Sequence, residues 1–341
     1  MTKKLVLVVA ALICLPQASE AHIKWFCAYD TTVPPVPIAE VLSPVFIAAA
    51  VFFATLMFLA YAIDHVVARN GWLERAERVL LAFEPFIPVL IRAGVVVFFA
   101  LLGFKGDTIL TPELKTTTVW VPWLQLAIAA SALWRPTLVF TAAGIVALYM
   151  TGVSQYGAFH MMDYPIFIGL AIHLALSAFD HPHLTRLRMP ALYFNVALTM
   201  MWGAIEKFGY PYWTFPLLTT HRTLTLGIPF GEFMIIAGFV ELSLAFFMLT
   251  GTALLRLSCL ALLALLVSAI PEFGSVDAIG HSLIVLVLAV MVITGQSGIE
   301  LPVKLGRNGG LHRSGVLTLS YGATLVILFA LYYGAQSVAG R

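Results

Sequence analysis

Apolar runs of membrane-crossing length follow one another through almost the whole chain, separated by short polar turns, and this succession excludes most folds. They lie near 43–63, 86–104, 119–134, 136–154, 165–180, 191–207, 230–250, 253–270, 276–295 and 316–336. About 20 apolar residues suffice to cross the hydrocarbon core as a helix. With 61% hydrophobic and 11% charged residues, the chain lies far outside the soluble range of roughly half apolar and a quarter charged. Lipid supplies no water to hydrogen-bond the backbone, so each run must satisfy its own peptide groups as a helix. The expectation is an all-α polytopic membrane protein of about ten transmembrane helices, with the bilayer as its solvent. A formal charge of +2 gives no reason to expect a nucleic-acid partner.

Residues 1–21 read as a secretory signal: Lys3 and Lys4 precede a short apolar run over 5–15, then Pro16 and the small-residue site Ser19-Glu20-Ala21. The run is too short to span. An uncleaved anchor is the alternative. Cleavage after Ala21 leaves His22 as an external N-terminus, followed by an external segment over 22–42. Residues 43–85 hold the first span and an amphipathic linker over 69–78, anchored by Trp72 at the cytoplasmic surface. Beyond residue 296 come a polar loop and a last span ending at 341, with the C-terminus outside again.

Loop charge agrees with this orientation. It places Arg69, Arg75, Arg78, Arg135, Arg186, Arg188, Arg256, Lys304, Arg307 and Arg313 inside, against Lys24, Lys105, Lys115, Lys207, Arg222 and Arg341 outside. Ten against six is the bias that the positive-inside rule demands.

Between these flanks, one four-helix pattern occurs twice, over 86–180 and 190–295. The second copy carries Gly203-Ala204-Ile205-Glu206-Lys207-Phe208, then Gly238-Phe239-Val240-Glu241, then Phe273-Gly274 and Asp277-Ala278-Ile279-Gly280-His281. In the first, Gly103-Phe104-Lys105-Gly106 aligns with the Glu206-Lys207 turn, Arg135 with Arg256, and Tyr156-Gly157 with Phe273-Gly274. Phe104-Lys105 replaces Glu206-Lys207, and Tyr164 takes the place of His281. The first copy is therefore expected to be a packing partner without the site of the second.

The second copy resembles the DoxX-like family of bacterial integral membrane proteins, including the DoxD-type subunit of thiosulfate:quinone oxidoreductase. The resemblance covers about a third of the chain and is specific for fold more than for function. It implies two tandem, parallel DoxX-like repeats with one flanking helix on each side. It further implies an inner-membrane subunit or assembly factor of a redox system, with quinone as the candidate cofactor. A periplasmic or membrane protein partner would supply the main chemistry.

Ionisable groups within a bilayer usually face a bundle interior or a cavity. Glu206, Glu241, Asp277 and His281 are the candidates for a polar pocket or proton relay open to the outside. The structural alternative pairs Glu241 with Arg92 or a neighbouring helix. His160 and Asp163, near Gln155 and Tyr156, occupy the same face as His281, Asp277 and Glu272; they either share a site with them or are solvated loop residues. A metal reading uses the α-amine and imidazole of His22 as a copper chelate, completed by Cys27 and an external histidine, His160 or His281. His173 is expected to be a neutral core histidine, and His181-Pro182-His183 a solvated turn. No C-x-x-C motif is present. A small-solute transporter and a structural scaffold are the competing functions.

Overall fold

The computed structural model describes residues 27, 29–30, 33–68, 71–299 and 310–339. The signal peptide, His22, Arg69, Lys304 and Arg307 lie outside the described residues.

Ten principal helices occupy the described chain: α1 (Pro44–Ala68), α2 (Gly71–Leu81), α3 (Ile87–Lys105), α4 (Trp120–Ser131), α5 (Leu138–Tyr156), α6 (Pro165–Ser177), α7 (Pro182–Gly209), α8 (Phe230–Thr250), α9 (Ala253–Thr294) and α10 (Gly310–Ala339). Among the described residues there is no strand, only a single bridge between Thr108 and Lys115. Six helical segments are long and apolar enough to cross a membrane. Val51, Ile63, Val97, Phe140, Leu319 and Val326 are exposed on their surfaces, as residues in contact with lipid are. This is a multi-pass membrane protein.

Proline punctuates the helix starts, where its missing N–H costs nothing. It sits at the first positions of α3, α6 and α7. Pro136 lies in a tight 3-10 turn between α4 and α5, closed by Thr137 Oγ1 donating to the Ser131 carbonyl at 2.5 Å. Two helices start earlier than their apolar runs. α7 begins at Pro182 and keeps Pro190 inside it. α10 begins at Gly310, where Arg313 reaches the Thr250 carbonyl at 3.4 Å. The linker forms α2, whose Glu77 pairs with Arg256 at 3.1 Å.

α9 reverses direction at Gly274, where φ is 71° and ψ is −152°. That region is essentially open to glycine alone. Arg256, near its start, donates from Nε to the Val292 carbonyl at 3.0 Å; a straight helix would hold the two about 54 Å apart. α9 is thus two antiparallel helices. The same construction joins α5 to α6. Gly157 follows α5 with φ 85° and ψ 156°, and Arg135 donates from Nε to the Ser177 carbonyl at 2.9 Å.

The bundle therefore has a Gly157 end and an Arg135 end. α7 lies centrally, packed on α6 and α8, while α1 lies against α8 and α10. Gly238 lets α8 approach α7 closely: a Cβ there would meet the Phe208 ring at 2.6 Å and the Ala204 carbonyl at 3.0 Å. At the Arg135 end the buried Asp64 carboxylate accepts from the Thr252 and Leu254 amides at 2.8 and 2.9 Å, capping α9 from another helix. At the Gly157 end, residues 107–118 fold inward as a short hairpin, with Ile109, Leu110 and Leu114 fully buried. Gln125, fully buried in α4, donates from Nε2 to the Thr108 and Ile109 carbonyls at 2.7 and 2.8 Å. Irregular backbone is tolerated at membrane depth when protein satisfies it in this way.

Candidate functional site

The inward hairpin brings Glu113, which the sequence pattern did not single out, to the candidates His160 and Asp163. α3 ends at Gly106 in the left-handed conformation, and the Asp107–Lys115 ion pair at 2.7 Å closes the hairpin. Burial would raise the Asp107 carboxyl, but the bond and charge of Lys115 outweigh it and hold the group below the usual carboxylate range. Across the bundle end, the turn after Gly157 presents His160. It is fixed by the Tyr149 hydroxyl donating to the Met161 carbonyl at 2.7 Å and by Tyr156 donating to the Lys115 carbonyl at 2.6 Å.

Nε2 of His160 lies 2.9 Å from Oε1 of Glu113, and both side chains are only 2% exposed. The Tyr164 hydroxyl donates to the same oxygen. Burial, then the nearby Glu113 and Asp163 charges, keep the Tyr164 phenol well above its ordinary pKa, so it stays a donor. The His160 ring stacks on Tyr29, with centroids 5.3 Å apart and 10° between planes, and on Tyr156 at 5.6 Å and 27°. Asp163 is also buried, and ligand atoms of Glu113, His160 and Asp163 all lie within 4.8 Å of one another. Oε2 of Glu113 has no hydrogen-bond partner among the described residues. His160 and Asp163 are therefore not solvated loop residues.

On the far side of this cluster, Tyr332 of α10 is fully buried, packed on Trp202 at 4.9 Å and Phe159 at 5.1 Å. Its hydroxyl has no hydrogen-bond partner among the described residues. Glu206 is buried near the end of α7.

The other sequence candidates pair apart from this cluster, Glu241 with a neighbouring helix as the structural alternative had it. Glu241 meets Lys207 at 3.1 Å, and Asp277 meets His281, one helical turn on, at 3.0 Å. The alternative pairing of Glu241 with Arg92 does not occur. Arg92 is at the Arg135 end, bonded to the Pro88 and Leu133 carbonyls at 3.3 Å each, because it lies in the opening turns of α3. Cys27 lies by the Leu217 backbone, outside the Glu113–His160–Asp163 cluster, and burial raises its thiol pKa. His22 lies outside the described residues. His173 is a core histidine, its Nδ1 donating to the Arg188 carbonyl at 3.1 Å. His181 and His183 are exposed at the start of α7.

Glu113 and Tyr29 carried no signal of their own in the sequence: each is a lone residue between apolar runs, and only the inward hairpin brings Glu113 to His160. A buried carboxyl, imidazole and phenol in hydrogen-bond contact can pass a proton. With Asp163 added, the same atoms form a nitrogen–oxygen donor set for a divalent metal.

Comparison with known proteins gives no match: no protein-family model, no curated protein and no solved structure aligns with the chain.

Proposed function

We propose that the chain is a bacterial inner-membrane protein of ten spans, with two tandem DoxX-like four-helix units, serving a redox system as subunit or assembly factor. Two equivalences support the units. Gly157 and Gly274 reverse the chain in the same glycine-only conformation, and Arg135 and Arg256 each tie the start of one helix to the end of the next. Loop charge supports placing the Arg135 end in the cytoplasm and the Gly157 end in the periplasm.

The observation that carries the functional reading is the buried contact of His160 and Tyr164 with a single oxygen of Glu113 at that outer end. In this reading the cluster is a proton relay. A quinol oxidised beside it releases two protons to the relay and two electrons to a partner protein, becoming quinone. The test is purification from native membranes through a C-terminal tag. The expected result is a stoichiometric electron-transfer partner; a chain that purifies alone and moves a solute in vesicles contradicts the reading.

The convergence of Glu113, His160 and Asp163 ligand atoms within 4.8 Å favours a second reading, a divalent metal held by these residues. About one metal per chain, lost in His160→Gln, supports it; metal-free protein after growth with copper, zinc and manganese contradicts it.

A further inference from the structure

At the opposite end of the bundle, a cavity of about 430 Å³ opens between the first turns of α3 and α7 and the last turn of α6. Three arginines line it: Arg92, Arg135 and Arg188. Two carboxylates, Glu84 and Asp180, share the lining, and Asp180 is engaged by Arg135. Arg135, and after it the charge of Arg188, hold the exposed Asp180 carboxyl below the usual range, so Asp180 stays ionised and neutralises the arginine bonded to it.

The remaining cations are differently placed. Arg92 spends Nε and Nη1 on two carbonyls at 3.3 Å each, leaving Nη2 for a ligand. The guanidinium of Arg188 makes no hydrogen bond or ion pair to the described residues, although the residue is half-buried. Its backbone is pinned by His173, which fixes the start of α7 as one wall of the cavity. Two half-buried arginines lining one cavity offer the kind of donor that binds phosphate in pairs.

The surroundings indicate what bears the phosphate. Phe86, Trp134, Phe179 and Leu187 each adjoin a lining residue along the chain, and all are exposed at this end of the bundle. Apolar exposure beside arginines is the composition of the headgroup boundary, where aromatic side chains settle and basic clusters between helices bind anionic lipid heads. We infer that this cavity binds the phosphodiester head of an anionic phospholipid, with Arg92 and Arg188 as ligands and the acyl chains against the flanking apolar residues. A free phosphate shares the head chemistry but has no use for the apolar rim. The site is independent of the Glu113–His160 cluster.

The test is thermal unfolding of the full-length, delipidated protein in neutral detergent. It is titrated separately with short-chain phosphatidylglycerol, short-chain phosphatidylcholine and inorganic phosphate. Saturable stabilisation by phosphatidylglycerol alone is expected, with the half-saturating concentration raised about tenfold or more in Arg92→Gln/Arg188→Gln, or about 1.4 kcal/mol. Stabilisation by inorganic phosphate equal to that by phosphatidylglycerol keeps the phosphate site and assigns it a soluble ligand. Should the double variant unfold without lipid, Arg188→Gln alone carries the test, since its guanidinium supports no described contact. Equal stabilisation by phosphatidylcholine, or a folded variant with the wild-type response, overturns the inference.

Discussion

Nε of Arg256 donates to the carbonyl of Val292 at 3.0 Å, although the two residues lie 36 positions apart. The contact exists because Gly274 turns the chain back on itself. Spin labels at the exposed positions Leu257 and Gln296 should therefore give a distance below about 20 Å, against more than about 50 Å for a straight helix.

Replacing the glycine tests its conformation directly. Gly274→Ala forces a side chain into a region costing about 1–3 kcal/mol. Gly203, helical with open space around its Cα, provides the contrast. Gly203→Ala is expected to be neutral or stabilising by up to about 1 kcal/mol. Denaturant unfolding in detergent should rank the two variants in that order.

Gln125→Leu keeps the apolar character of α4 but leaves the Thr108 and Ile109 carbonyls without their donor. A loss of about 1–3 kcal/mol is expected. Hydrogen exchange should increase within 107–118 before it does elsewhere, because the hairpin that carries Glu113 loosens first.

The Lys207–Glu241 pair is partly exposed, with side chains at 17% and 18%. Glu241→Gln should cost about 1.5–3 kcal/mol, and Lys207→Met should cost less in the Glu241→Gln background than in wild type. A double-mutant cycle by thermal unfolding measures that coupling; additive losses would mean that the contact contributes nothing.

The helical runs were legible because a bilayer leaves apolar sequence only one backbone solution, and the reversal at 273–274 was legible because glycine punctuates it. The early starts of α7 and α10 were not, since polar residues such as Arg186, Arg188 and Arg313 continue a helix beyond its apolar stretch. Glu113 was hidden for a different reason. Its hairpin reads as an ordinary polar loop until Gln125 is seen to satisfy its carbonyls, and a pattern built on helices has no place for a loop that turns inward. The second-copy residues were visible as charges in apolar sequence. Their pairing, Glu241 with Lys207 rather than with Arg92, depends on depth in the bundle, which spacing along the chain does not reveal.

The central claim is that Glu113 and His160 form a working proton relay. Quinol-linked turnover and proton release should be measured in native-membrane vesicles holding equal amounts of wild-type, Glu113→Gln and His160→Gln protein. The account predicts a fall of about 100-fold in both variants, with the protein still folded and its partner still bound. Turnover and proton release at the wild-type level in Glu113→Gln would contradict it.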